Sequence, residues 1–397
     1  VIAAQLFGDE DGGTSAAERE RLAELFSRLC AAPSPTGRER ACADLVTGVL
    51  RGAGLSVTED DAADAVGGDA GNLLCRIPGR PSTAHGAPSV LLCAHLDTVP
   101  VAGRIAPELS DGVWRDALGG VLGADNKATV AALLVLAERL AGHPPATDVE
   151  LLFTVAEETQ LQGAQAVDTA ALTSRVGFVI DHPSPLGGIV MAAPGHVRFE
   201  AHYRGRAAHA GIAPEHGRSA VRAAARGVVA LPQGRVGGGA TVNVGHMTGG
   251  TPVTNVVPDV ALVLGEIRAL DEDVLTALVG DVEALLHDAA HVDGESVDLD
   301  LILERRFSPY RHAPAAEALA LAHDALARIG VGPRPFADGG GSDANVLNAR
   351  GVATVNLAGG NEAAHEPGER IAASALESTL DLVLALVEAH GAATPAG

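Results

Sequence analysis

Val90-Leu91-Leu92-Cys93-Ala94 runs directly into His95-Leu96-Asp97. Five consecutive apolar residues read as a short strand buried on both faces, here ending in a histidine and an aspartate. The pattern recurs three more times. Leu151-Leu152-Phe153-Thr154-Val155 precedes Glu157-Glu158, and Val176-Gly177-Phe178-Val179-Ile180 precedes Asp181-His182. Val352-Ala353-Thr354-Val355-Asn356-Leu357 leads through a loop to His365. Helical patterns lie between these runs, and Ala128 to Leu140 is apolar nearly all round. Buried strands alternating with helices predict an α/β fold with a mostly parallel sheet sandwiched by helices.

Working outward, helices are expected from about Ser15 to Cys30 and from about Arg38 to Gly52, with a turn over 32–37 between them. Thr58 to Ala70 reads as strand edge and loop. The middle third has a different order: strand 196–203, helix 219–229, strands 241–247 and 259–269, helix 273–291, strand 296–303. That βαββαβ order predicts a ferredoxin-like α+β insertion. A chain of 397 residues is too long for one ordinary core. The expected domains are a discontinuous one, 1–193 with 307–397, and an inserted one, 194–306.

Hydrophobic residues make up 47% of the chain and aromatics only 3%, so the core should be built from small and branched side chains. The formal charge of -22 argues against nucleic-acid and membrane-surface partners, because such a surface repels phosphates and anionic lipids. No run reaches the roughly 18 apolar residues of a membrane span. Val1 to Phe7 is apolar but short and lacks the basic flank of a signal peptide. The four cysteines, Cys30, Cys42, Cys75 and Cys93, form no C-x-x-C pair and read as reduced, buried thiols. The expected compartment is the cytoplasm.

In open α/β sheets, ligands bind at the carboxyl ends of the strands. Here His95, Asp97, the Glu157-Glu158 pair, Asp181 and His365 follow strands, and Asp125 precedes the apolar helix. Charged groups resist burial unless paired or bound to a cation. Imidazoles and carboxylates suit zinc, and two metals about 3.5–4 Å apart need a bridging carboxylate. Asp125, with a short stem at a helix start, is the best bridge. His95 with Asp181 can complete one site, and Glu158 with His365 the other. Adjacent glutamates at a strand end face different ways, so the residues alone leave open which binds metal and which serves as general base. Asp97 is placed to orient groups around the site.

These residues stand in stretches that resemble the M20 metallopeptidase family, particularly its peptidase T-like (tripeptide aminopeptidase-like) branch. The stretches are Ala94-His95-Leu96-Asp97-Thr98-Val99-Pro100, Gly123-Ala124-Asp125-Asn126-Lys127-Ala128, Thr154-Val155-Ala156-Glu157-Glu158 and Ile180-Asp181. Gly205-Arg206-Ala207-Ala208-His209-Ala210-Gly211 and Gly340-Gly341-Ser342-Asp343-Ala344-Asn345 follow, with His365 later. The resemblance implies a zinc-exopeptidase-like catalytic domain with an inserted lid and dimerisation domain. It implies two Zn2+ per chain, with Co2+ or Mn2+ as alternatives: His95 and Asp181 on one, Glu158 and His365 on the other, Asp125 bridging. Glu157 becomes the general base and Asp97 supports the site. His209 would stabilise the oxyanion, Asn255 and Arg268 would hold a substrate carboxylate, and the Asp125–Asn126 bond would be cis. Asp343 and Asn345 read as helix caps, and Lys127 as a surface or site-supporting cation.

The implied activity is hydrolysis of amide bonds in small peptides, as a di- or tripeptidase or aminopeptidase, by a homodimer joined through the lid. An N-acyl amino acid deacylase or a carboxypeptidase would share the metal centre. A non-catalytic metal-binding homologue is the distant alternative, and no ligand or base is missing from the sequence to favour it. A nucleotide-binding α/β protein is a weaker rival still, since no glycine-rich phosphate loop opens a helix after the first strand.

Overall fold

The structure is a computed structural model that describes residues 13–80, 89–292 and 295–393. The Val1 to Phe7 segment lies outside the described residues. Two compact units emerge: Val1–Met191 with His312–Ala337 and Ser342–Gly397, and Ala192–Arg311 with Asp338–Gly341. The sequence alone sets the limits at 193/194 and 306/307. They fall elsewhere because Tyr310 and Arg311 pair with Ala193 and Ala192, and Asp338 donates its N–H to Ala192 O at 2.9 Å.

The first unit is α/β. Its strands run in the order Val57–Glu59, Leu73–Ile77, Asp148–Thr154, Ser89–His95, Val176–His182, Ala353–Ala358, Gly188–Ala193. Asp148–Thr154, Ser89–His95, Val176–His182 and Ala353–Ala358 are mutually parallel neighbours, and the flanking pairs are antiparallel. These are the four apolar runs of the sequence. Ser89–His95 is buried at every residue, because helices cover both faces of the sheet. In register, His95 sits opposite Thr154, so both strands end at one edge.

The helix Ala124–Gly142 is buried without interruption from Ala128 to Ala137. It packs on the sheet and against the helices Ala16–Ala31 and Ala373–Ala393. Leu133 and Leu136 are fully buried there, each such side chain contributing about 1.5–3 kcal/mol. The helix Ala16–Ala31 starts with a capping box: Ser15 Oγ accepts the Glu18 N–H, and the Glu18 carboxylate accepts the Ser15 N–H at 2.7 Å.

The sequence reading missed two features of this unit. Thr58 to Ala70 contains a short helix, Ala62–Val66. A four-stranded sheet in the order Asn361–Glu362, Arg370–Ala372, Val113–Asp116, Pro107–Ser110 has strands too short and too mixed in burial to show a period.

The second unit is an antiparallel sheet in the order Gly234–Gly237, Ala240–Gly249, Val260–Ala269, Gly195–Arg204, Asp298–Phe307. The strand Gly195–Arg204 buries Val197, Phe199, Ala201 and Tyr203, and leaves Arg198, Glu200 and His202 half-buried. That alternation puts one face against the helices Ala220–Ala230 and Glu272–Ala290. The βαββαβ core is joined by Gly234–Gly237, a glycine-bounded edge strand the sequence reading did not contain.

Candidate functional site

His95 is the last residue of its strand and is buried. Its Nδ1 lies 3.0 Å from the Asp97 carbonyl oxygen and 3.3 Å from Asp97 Oδ1. Its Nε2 lies 3.2 Å from Asp125 Oδ1 and 3.3 Å from Asp181 Oδ1. Asp181 comes from the end of the neighbouring strand Val176–His182. His365, at φ 67 in a loop, places Nε2 3.3 Å from Asp125 Oδ2 and 3.0 Å from Glu158 Oε2. Two triads result, His95–Asp125–Asp181 and Asp125–Glu158–His365, each with its ligand atoms within 4.8 Å of one another. Asp125 belongs to both and turns one oxygen to each imidazole.

Local backbone explains how Asp125 does this. Asp125 (ψ 106) and Asn126 (φ -111, ψ 26) depart from helical values at the start of Ala124–Gly142, and the peptide bond between them is cis. Asn126 Nδ2 donates to Ile180 O at 2.9 Å and also to the Asp181 carboxylate. The turn is thereby tied to the strand that carries Asp181.

The group is electrostatically unbalanced. Burial pushes the Asp181 carboxyl up, and the neighbouring Asp125 adds to it. Burial likewise raises Glu158, and it raises Glu157 well above the usual carboxylate range, with Asp181 adding. Asp125 and Glu158 push His365 up to about 10. Burial alone would lower His95, but Asp181, Asp125 and Asp97 outweigh it and hold it well above the usual imidazole value. Glu158 Oε1 is buried without a hydrogen-bond partner. Crowded carboxylates, an orphan oxygen and two imidazoles suit divalent cations with N/O ligands, zinc among them.

Asp97 does more than face His95. Its Oδ1 accepts the Glu157 N–H at 3.0 Å, and its Oδ2 accepts the Glu158 N–H at 3.1 Å and the Thr36 hydroxyl at 2.8 Å. It therefore holds the backbone of the glutamate pair. Glu157 itself is buried.

Three residues differ from their sequence reading or were absent from it. Lys127 is not a surface cation: it is 1% exposed, and its Nζ donates to Ser34 Oγ. Asp343 is not a cap. It is buried, and its Oδ2 accepts the Thr154 hydroxyl at 2.5 Å. Burial raises it to about 7, and Oδ1 has no partner. Asn345 does cap, its Oδ1 accepting the Ser342 N–H at 3.1 Å. Glu369, unnoticed in the sequence, is fully buried and accepts the N–H groups of Gly123 and Asp125. Its only sequence signal was an acidic residue four places after His365.

His209, Asn255 and Arg268 belong to the second unit. His209 is exposed, and the Ala210 N–H donates to Asn255 O at 2.8 Å, so His209 and Asn255 sit on adjoining segments. The Arg268 guanidinium is engaged with Glu266, Nε to Oε1 at 3.0 Å, and donates to Gly339 O at 3.3 Å.

The profile of peptidase family M20/M25/M40 matches residues 91–389. The chain is 33% identical over 373 residues to the uncharacterised protein YqjE of Bacillus subtilis (strain 168), spanning 93% of this chain and 98% of that protein. Among solved structures it is similar to aminopeptidase PepT from Bacillus cereus ATCC 10987, with 34% identity, a TM-score of 0.84, and coverage of 94% of this chain and 98% of the other. A tripeptidase from Staphylococcus aureus superposes with a TM-score of 0.87 at 27% identity, covering 94% and 99%. Among the described residues no helix is long and apolar enough to cross a membrane.

Proposed function

The chain belongs to peptidase family M20/M25/M40 and is a peptide-bond hydrolase; we propose that it acts on di- and tripeptides as an aminopeptidase, using two zinc ions per chain. The observation that supports this reading is the shared Asp125 carboxylate, with His95 facing one oxygen and His365 the other. His95, Asp125 and Asp181 would hold one ion, and Asp125, Glu158 and His365 the second. Bound there, divalent metal supplies a Lewis acid for the peptide carbonyl and makes water a better acid at neutral pH.

The chain's own groups do the rest. Glu157 takes the proton of the attacking water and returns it to the leaving amine. Asp97 fixes the glutamate backbone so that Glu158 binds metal while Glu157 stays free for the proton. The resemblance in sequence adds His209 as oxyanion donor and Asn255 and Arg268 as holders of a substrate carboxylate. A homodimer formed through the second unit, and a cytoplasmic site of action, belong to the same reading.

The test is a substrate panel on the zinc-loaded chain: tripeptides and dipeptides with free or blocked amino termini, alongside N-acyl amino acids. Release of the first residue from free-amine tripeptides supports the aminopeptidase reading. Turnover confined to N-acyl amino acids replaces it with a deacylase, and release of the last residue replaces it with a carboxypeptidase.

A further inference from the structure

The helix Ala124–Gly142 begins at a residue that cannot cap it. Gly123 stands at the N-cap with φ 76 and has no side chain to accept an N–H. The first N–H groups of a helix have no partner within it and need one elsewhere. Here the first turn is also irregular, since Asp125 and Asn126 leave helical geometry. The partner comes from the far end of the chain. Glu369 Oε2 accepts the Gly123 N–H at 2.7 Å, and Oε1 accepts the Asp125 N–H at 2.9 Å. The Gly368 N–H donates to Gly120 O at 3.0 Å, so the two loops lie against each other. The next residues, Arg370–Ala372, pair with Val113–Asp116, and Ile371 is fully buried. Glu369 is thus rigidly anchored four residues after His365.

We propose that Glu369 is a positioning residue for the metal centre: by holding the Gly123–Asp125 turn against the loop that carries His365, it sets the Asp125 carboxylate between His95 and His365. The inference rests on the reading of Asp125 as the shared ligand. Both donors it binds belong to the segment that presents Asp125, and one is the N–H of Asp125 itself. Among the described residues no hydrogen bond or ion pair joins its carboxylate to an imidazole, whereas one joins it to the Asp125 N–H, so it acts through Asp125. Partners of this kind around metal ligands typically change affinity ten- to a hundredfold when removed.

A plain structural role is the competing explanation, and Glu150 supplies the control. Glu150 is also buried and also clamps two backbone donors, accepting the N–H groups of Thr173 at 3.0 Å and Ser174 at 2.8 Å. It touches no residue of either triad. The experiment titrates zinc into metal-stripped wild type, Glu369→Gln and Glu150→Gln in competition with a chromophoric chelator, and records the absorption spectra of the cobalt-loaded forms. In Glu369→Gln an amide NH2 must face a backbone N–H. The expected result is zinc affinity weaker by about ten- to a hundredfold with an altered cobalt spectrum. Glu150→Gln should lose thermal stability yet keep the wild-type affinity and spectrum. If Glu369→Gln does not fold, Glu369→Asp takes its place. Its shorter stem reaches only one of the two donors, and its affinity should fall between those of wild type and the glutamine variant's expected value. Wild-type affinity in the Glu369 variant, or an equal loss in Glu150→Gln, overturns the proposal alone. A wild-type chain that takes up no zinc overturns the reading of the site as well.

Discussion

Asp97 Oδ1 accepts the backbone N–H of Glu157 at 3.0 Å, and its other oxygen takes the N–H of Glu158. One buried carboxylate thus fixes the backbone of two adjacent glutamates. Asp97→Ala leaves both donors without their charged acceptor in a buried site, and a loss of about 3 kcal/mol is expected. Thr36→Val removes the hydroxyl bond to Asp97, with a long one to Thr98 O, and should cost about 1 kcal/mol. Urea unfolding of the metal-stripped proteins measures both.

Gly163 marks a close approach to the same turn. A Cβ built there would lie 1.9 Å from Val155 O, backbone that cannot swing away. Gly163→Ala should therefore destabilise by about 1–3 kcal/mol, although alanine is by propensity the better helix former. The displacement falls on the segment leading to Glu157, so kcat should drop as well. Thermal unfolding and steady-state kinetics on one preparation check the pair of effects.

In the second unit, His196 and Arg268 hold the Glu266 carboxyl down to about 2, from an ordinary 4.5. A depressed carboxylate stabilises the fold fully above its unfolded value. That contribution is lost as pH falls from about 4.5 toward 2. Glu266→Gln should flatten this part of the acid-unfolding profile and leave the profile above pH 5 unchanged in shape. Added salt should weaken the effect in wild type, because the carboxylate is a third exposed.

Metal binding and folding are linked. Stripping zinc with a chelator should lower the thermal midpoint, and zinc at a hundred times its Kd should restore about 2.7 kcal/mol. Because Asp125 belongs to both triads, Asp125→Ala should abolish the response to zinc. His365→Ala should remove one ion and keep the other. Calorimetric scans with metal analysis check all three.

The four central strands were legible because parallel strands covered on both faces are continuous apolar runs, as Val90 to Ala94 is. His95 and Asp181 were legible at strand ends and Asp125 at a helix start, where an open sheet displays its side chains, and Glu158 and His365 in the loops that follow strands. The structure brings His95, Asp125, Asp181, Glu158 and His365 into two joined triads. What escaped was polar burial away from the strand ends. Lys127 read as either a surface or a site-supporting cation, and its burial in the first turns of a helix buried all round removes the first of these. Asp343 follows a glycine run and imitates a cap, but the partner that defines it, Thr154, is 189 residues away. Glu369 depends on backbone donors of a distant turn, which no local pattern announces. Short strands such as Val113–Asp116 carry too few residues to set a period.

The central claim is that Glu157 moves the proton while its neighbour and four other residues hold metal. Its most direct measurement is tripeptide turnover together with zinc content in wild type and Glu157→Gln. The account predicts two zinc ions in both proteins and a kcat lower by about a hundred- to ten-thousandfold in the variant. A variant that keeps its metal and wild-type turnover would contradict the assignment of the base. A variant that loses its metal along with its turnover would make Glu157 a ligand instead.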